Sequence, residues 1–296
     1  MSKLYYVLIS AAVSFFCYVL GFSVPVLGFF ILPFSSVVLI ILLIKQDAFS
    51  GIAGMVLSCL LVYEILPSGQ IFLIPYIIFV LMNTLLMYTG IVSGRNKIAV
   101  LLDSFISVAV VSTAFMLLLA LSGFQNVGLL GASAAGFPKE VSFAVEKVFN
   151  RDIYSIIIIS AAIFVVLSYL YLTLLSQRYI LKVEKLPYFY EWRLPDWGIF
   201  LLIFALSFYM AGKAAKGMTL LIVAENILIL VAFAYFINGL SVGTYIFKRA
   251  RILLWIMCLF SFLYPPSAVF LGISDVWLNF RKKRGNDNED NFEKGN

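Results

Sequence analysis

Residues Leu4 to Ile44 read LYYVLISAAVSFFCYVLGFSVPVLGFFILPFSSVVLIILLI, without one charge. A helix needs about 20 such residues to cross a bilayer, so this stretch holds two crossings. Gly21-Phe22-Ser23-Val24-Pro25 supplies the turn between them. The rival reading of the first run is a cleaved signal peptide. The run is too long for the apolar region of such a peptide, only Lys3 supplies a basic flank, and more apolar runs follow at once. It reads as a retained helix.

Seven further apolar runs follow, at Ala48–Leu66, Gln70–Val92, Ile98–Phe124, Ile153–Leu175, Trp197–Gly212, Met218–Phe247 and Ile252–Phe280. Turn and charge signals separate them, among them Lys45-Gln46-Asp47, Pro67-Ser68-Gly69 and Ser93-Gly94-Arg95-Asn96-Lys97. The runs are long and continuously apolar, not alternating, which excludes a β-barrel. The expected fold is all-α: a polytopic transmembrane helical bundle of eight full spans plus a broken C-terminal hairpin. It would occupy residues 1–280, with a charged, disordered tail over 281–296.

Composition agrees. The chain is 63% apolar and 12% charged, whereas soluble domains run near 45–50% and about 25%. That excludes an ordinary soluble enzyme, a disordered chain and a disulfide-rich module. There are no histidines, so His-based metal sites and Ser-His or Cys-His catalysis are excluded. Cys17, Cys59 and Cys258 each lie alone in an apolar run and read as small hydrophobes. No P-loop, GxGxxG or HExxH motif occurs, and no cofactor or metal is expected.

Two segments do not read as spans. Within Gln125–Asp152, Pro138 can open a helix. Val141, Ala144, Val145, Val148 and Phe149 then share one face, and Lys139, Glu140, Glu146, Lys147 and Asn150 the other. The expectation is an amphipathic helix over 138–150, lying in the membrane interface or packed on its own bundle. The loop 176–196 mixes Arg178, Lys182, Lys185 and Arg193 with Tyr179, Tyr188, Phe189, Tyr190 and Trp192. Beside two spans that pattern means interfacial anchoring rather than nucleic acid. Leu186-Pro187 and Leu194-Pro195 stop any helix there.

The net charge is +6, and its placement sets orientation. With the N-terminus inside, the inner loops hold Lys3, Lys45, Arg95, Lys97, Arg178, Lys182, Lys185, Arg193, Lys248, Arg249 and Arg251. The outer loops hold Lys139, Lys147, Arg151, Lys213 and Lys216. That is 11 against 5, as the positive-inside rule requires. A simple ninth crossing would throw Arg281–Arg284 outside. Pro265-Pro266 lets the last run re-enter as two short helices and keeps the tail inside. The expected location is a bacterial inner membrane.

Four acids lie inside the apolar runs: Glu64, Asp103, Glu225 and Asp275. A charge in hydrocarbon costs at least ~2.5–3.5 kcal/mol, so each needs a reason. Glu64 and Asp103 are near span ends, and Asp103 can pair with the Arg95/Lys97 loop. Glu225 is deepest, has Asn226 beside it, and has no basic residue inside any span to neutralise it. Glu225, Asn226, Asn238 and Asn83 are therefore the candidate ligand-binding residues, each against the alternative of interhelical polar glue. Gly51, Gly54, Ser58, Ala11 and Ala12 permit close helix approach.

The succession Lys185-Leu186-Pro187, Trp192-Arg193-Leu194-Pro195, Glu225-Asn226-Ile227-Leu228, Asn238-Gly239-Leu240-Ser241-Val242 and Gly272-Ile273-Ser274-Asp275-Val276-Trp277-Leu278-Asn279-Phe280-Arg281 resembles the YybS-like family of bacterial polytopic membrane proteins. The N-terminal half, through Leu8-Ile9-Ser10-Ala11-Ala12, Pro25, Leu32-Pro33-Phe34 and Gly51-Ile52-Ala53-Gly54, is more weakly similar to the S components of energy-coupling-factor transporters. That second resemblance implies a small helical bundle that binds a small molecule and docks on a transmembrane partner. It departs from the docking pattern where Phe15 and Phe16 follow four residues after Ala11 and Ala12.

Three functions compete. One is a binding or transport subunit with an unnamed small-molecule ligand. The second is a membrane scaffold for envelope growth or division. The third, an intramembrane enzyme, lacks histidine and any nucleophile-base motif, so the chain reads as not an enzyme. The expected partners are the lipid bilayer and a membrane protein on the cytoplasmic side, met through Ala11, Ala12, Arg193, Asp275 and Arg281. A polar pocket at Glu225 and Asn226 would favour binding. A dry interior with a conspicuous exposed face would favour the scaffold.

Overall fold

The computed structural model describes residues 3–23, 25–66, 69–121, 139–179, 183–215, 217–248 and 250–281. Among them there is no strand. A chain this apolar satisfies its backbone within each segment, which in lipid only a helix can do. The helices are α1 Lys3–Ser23, α2 Pro25–Lys45, α3 Ala48–Ile65, α4 Gly69–Pro75, α5 Asn83–Val92, α6 Lys97–Leu121, α7 Lys139–Tyr179, α8 Gly198–Ala214, α9 Met218–Phe247, α10 Arg251–Leu263 and α11 Pro265–Leu278. A π-helical segment, Tyr76–Met82, joins α4 to α5.

Six of these stretches are long and apolar enough to cross a membrane: Lys3–Gly21, Ala48–Ile65, Phe72–Val92, Lys97–Leu118, Arg151–Ser176 and Met218–Phe247. Among the described residues this makes six crossings, or seven if the bent pair 252–278 is one span, against the eight full spans expected. Phe30–Lys45 and Gly198–Ala214 are shorter apolar helices. At 17 residues, α8 is about 25 Å long, under a hydrocarbon core of roughly 30 Å.

The chain divides into two compact units. The first comprises Met1–Pro138 and Ile156–Leu186, the second Lys139–Ser155 and Pro187–Asn296. In the first, α1, α2 and α3 pack on one another, α2 also on α5, and α5 on α6. Its core holds Tyr18, Val37, Ile40, Tyr76, Met87, Val108, Phe164 and Tyr169. Asp47 caps α3 by accepting the Ser50 N–H at 2.8 Å, and takes the Lys3 ammonium at 2.7 Å, tying the start of α1 to the start of α3. Gly51, Gly54 and Ser58 are buried, as their size suggested.

In the second unit α9 packs on α8, α10 and α11. The α9–α11 contact is backbone on backbone. A Cβ on Gly239 would fall 1.8 Å from the Ala268 carbonyl oxygen, and one on Gly272 2.1 Å from that of Tyr235. The pair α10–α11 bends by 111° at Tyr264, just before Pro265-Pro266. Asn279, in the left-handed region at φ 44°, ends α11, a conformation asparagine tolerates.

Residues 139–150 are helical and run without a break into the following span as part of α7. The side chains of its apolar stripe, Val141, Val145 and Phe149 included, lie outside the described residues, as does the tail 282–296.

Candidate functional site

Glu225 is not the unpaired acid that the sequence suggested. Arg151, in α7, binds both its carboxylate oxygens through Nε and Nη2. Asn226 is also occupied. Its Oδ1 accepts the Ser155 N–H at 2.8 Å, and its Nδ2 donates to the Arg151 carbonyl at 2.9 Å and to that of Ile222 at 2.9 Å. A regular α-helix pairs Ser155 N–H with the Arg151 carbonyl directly. The Asn226 amide bonds both of these groups as well. The motive for a cationic ligand at Glu225 is therefore removed: the protein supplies the cation itself.

The C-terminal half of α9 carries a second polar group. Asn238, Ser241 and Tyr245 fall at i, i+3 and i+7, one helix face. That face holds the irregular stretch Pro187–Leu194 by its main chain. Ser241 Oγ lies 2.7 Å from the carbonyl oxygens of both Phe189 and Trp192, and its single proton is shared between them. Asn238 Oδ1 accepts the Leu194 N–H at 3.3 Å, and its Nδ2 donates to the Gly272 carbonyl at 3.0 Å. Arg281 Nη1 donates to the carbonyls of Trp192 at 2.7 Å and Tyr190 at 3.2 Å, and Nη2 to Asn238 Oδ1 at 3.3 Å.

Asp275 supplies the counter-charge, 3.6 Å from Arg281 Nη2, with the two side chains only 2% and 13% exposed. It also accepts the Phe280 N–H at 3.2 Å. Burial pushes the Arg281 guanidinium below its ordinary value, while the Asp275 carboxylate acts in the opposite direction. Arginine remains charged through such shifts. Asp275 and Arg281 were expected to meet a partner. They are instead internal braces, because a charge this deep must be paired within the protein.

The outward face of the held stretch is aromatic. Tyr188 is 69% exposed and Trp197 59%. Tyr188 and Tyr190 stack at 5.3 Å, and Lys248 lies over the Tyr190 and Tyr245 rings at 5.7 and 4.7 Å. Arg193 is outside, paired with Asp196 at 2.8 Å. Of the alanines, Ala11 is fully buried and cannot dock a partner, because it is where α1 closes on its neighbours; Ala12 is exposed.

Asn83 belongs to the first unit and is fully buried. Its Nδ2 donates to Ser36 Oγ at 3.0 Å, and Ser36 shares a 2.9 Å bond with Thr84 Oγ1. In the same unit, Ser14 Oγ of α1 meets Tyr76 OH of the π-helical segment at 2.8 Å and donates to the Ser35 carbonyl of α2 at 2.9 Å. Asn83 Oδ1 has no partner among the described residues. Glu64 is exposed, and Asp103 pairs with Arg95, as expected for acids near span ends. No cluster of three metal-ligating side chains occurs among the described residues.

Sequence reasoning missed Arg151, Ser241, Ser14, Ser36, Tyr76 and Thr84. The i, i+3, i+7 spacing of Asn238, Ser241 and Tyr245 was the available signal for the clamp.

Residues 144–276 match the family described as "Predicted membrane protein (DUF2232)". The match covers under half of the chain but includes α8, α9, α10, the loop Pro187–Leu194, Asn238 and Asp275. No curated protein and no solved structure matches the chain. With six apolar helices of crossing length among the described residues, this is an integral, multi-pass membrane protein.

Proposed function

We propose that the protein is a non-catalytic scaffold subunit of a bacterial inner membrane. Its second unit would hold residues 187–197 as a rigid platform for a protein partner on the cytoplasmic side. The observation that carries this reading is the clamp. Ser241, Asn238 and Arg281 bind the main chain from Phe189 to Leu194, and Tyr188, Phe189, Glu191 and Arg193 of this stretch are exposed while Tyr190, Trp192 and Leu194 are half-buried. Rigid scaffolds that present loops are where binding residues concentrate. The excess of cations in the loops on this side supports an inner location for this loop and for the N-terminus.

The test is a photo-crosslinking amino acid at Tyr188 in living cells, with Phe204 on α8 as the control. A discrete protein adduct at Tyr188, absent at Phe204 and lost in Arg281→Met at equal levels of inserted protein, supports the platform. Adducts with lipid alone at Tyr188 contradict it.

A second reading, a small-molecule binding or transport subunit of the S-component kind, is favoured by one observation, the buried amide of Asn83. Glu225 and Asn226 no longer contribute to it, since both have partners within the chain.

A further inference from the structure

Phe72–Val92 is a crossing helix of 21 residues, and Asn83 stands at its middle. That puts the side chain roughly 14–16 Å from either end. Water from the membrane surfaces does not reach such a depth, so each polar atom there must find a partner inside. The carboxamide has an acceptor and two donors. The protein satisfies one side through Ser36 and leaves Oδ1 without a bond among the described residues. Exchanging the amide oxygen and nitrogen does not cure this. Ser36 Oγ can donate as well as accept, so the exchange only moves the unpaired end from Oδ1 to Nδ2.

Two further features belong to the same unit. Asn83 is the first residue after the π-helical segment Tyr76–Met82, an irregularity that recurs at functional sites. In α6, which packs on α5, Ser104 Oγ is likewise fully buried and unbonded among the described residues. The side chains bonded to one another around Asn83 are hydroxyls, with no charge among them. A charged guest would be stripped of water with no counter-charge, so the chemistry fits an uncharged one.

We infer that Asn83 binds a small uncharged hydrogen-bonding molecule, a water or a neutral polar solute, at the centre of the first unit. The guest donates to Asn83 Oδ1, or accepts from Nδ2 in the exchanged amide. This deepens the second reading above, and its failure would leave the scaffold reading standing. The side chain is a recognition group here, with no covalent chemistry.

The experiment uses the full chain in lipid nanodiscs. Brief X-ray radiolysis in ¹⁸O-water labels side chains that lie beside bound water. Met87 is the reporter: it is fully buried and one turn from Asn83 on the same face. Met55, also buried, is the control. Label at Met87 several-fold above Met55, lost in Asn83→Leu, identifies water as the guest. An unlabelled Met87, with a neutral small molecule released on denaturation at about one per chain and absent from Asn83→Leu, identifies a solute. If Asn83→Leu does not fold, the two wild-type readings decide alone. Neither label nor released molecule from the wild type overturns the inference.

Discussion

The Tyr245 hydroxyl donates to the Arg281 main-chain carbonyl at 3.0 Å. Tyr245 is in the last turn of α9, and Arg281 lies just past the end of α11. The chain therefore leaves α9, runs through α10, turns by 111° and returns to the end of α9 where it began. Two arms of 13 and 14 residues, each about 20 Å long, are each too short to cross alone, so the bent pair is a broken span or a re-entrant hairpin.

The hairpin depends on the α9–α11 contact. Gly272→Ala places a methyl against the Tyr235 carbonyl and should force the helices apart. The expected result is a fall in detergent melting temperature of many degrees, or loss of monodisperse protein. Gly217→Ala is the control, since a Cβ there meets nothing nearer than 3.9 Å. Equal stability of the two variants would contradict the packing.

The buried pair predicts a sign pattern. Arg281→Met strands Asp275, and Asp275→Asn strands Arg281. Removing one partner of a buried pair costs about 3–5 kcal/mol. The double variant should cost less than the sum of the two, because it leaves no uncompensated charge. Additive losses in a double-mutant cycle would show that the two residues do not act together.

At the other end of α9, the exposures of the Arg151–Glu225 pair differ: 43% for the arginine and 14% for the glutamate side chain. Arg151→Leu leaves the more buried charge alone, whereas Glu225→Gln leaves one that can reach water. The first variant should melt several degrees below the second. If Glu225→Gln is the worse of the two, the pair is not what positions α7 on α9.

These residues show where the sequence was legible. Apolar runs longer than 18 residues became helices, and Lys45-Gln46-Asp47 became the turn and cap before α3. The clamp around Asn238 was half visible, as a polar stripe. The Arg151–Glu225 pair was not, because its members are 74 residues apart and Arg151 reads as a loop cation. The same charges concealed α7: Asn150-Arg151-Asp152 ends the apolar run, but arginine and aspartate do not end a helix. Charge marks the limit of hydrocarbon and says little about the limit of the hydrogen-bond ladder.

Asp47 offers a pH test. The Lys3 ammonium and the Ser50 hydrogen bonds hold its carboxyl well below the usual range. The folded value is depressed, so the contribution is full above the ordinary carboxylate pKa of about 4. It is lost as pH falls below that, toward the folded value. Asp47→Asn keeps an N-cap but loses the ion pair. The melting gap between wild type and Asp47→Asn should be larger at pH 6 than at pH 3. No gap at pH 6 would show that the ion pair is idle.

The re-entrant hairpin is tested most directly by cysteine accessibility in the full chain. Cys17, Cys59 and Cys258 are first replaced by serine. Single cysteines are then placed at Tyr188, Ala215 and Gly285 and labelled with a membrane-impermeant maleimide, in intact cells and in inverted vesicles. A hairpin that returns to the end of α9 puts positions 188 and 285 on one side, reactive in inverted vesicles, and 215 on the other, reactive in intact cells. Labelling of 285 from the same side as 215 would mean that the last apolar run crosses the membrane, and the clamp around Arg281 could not exist.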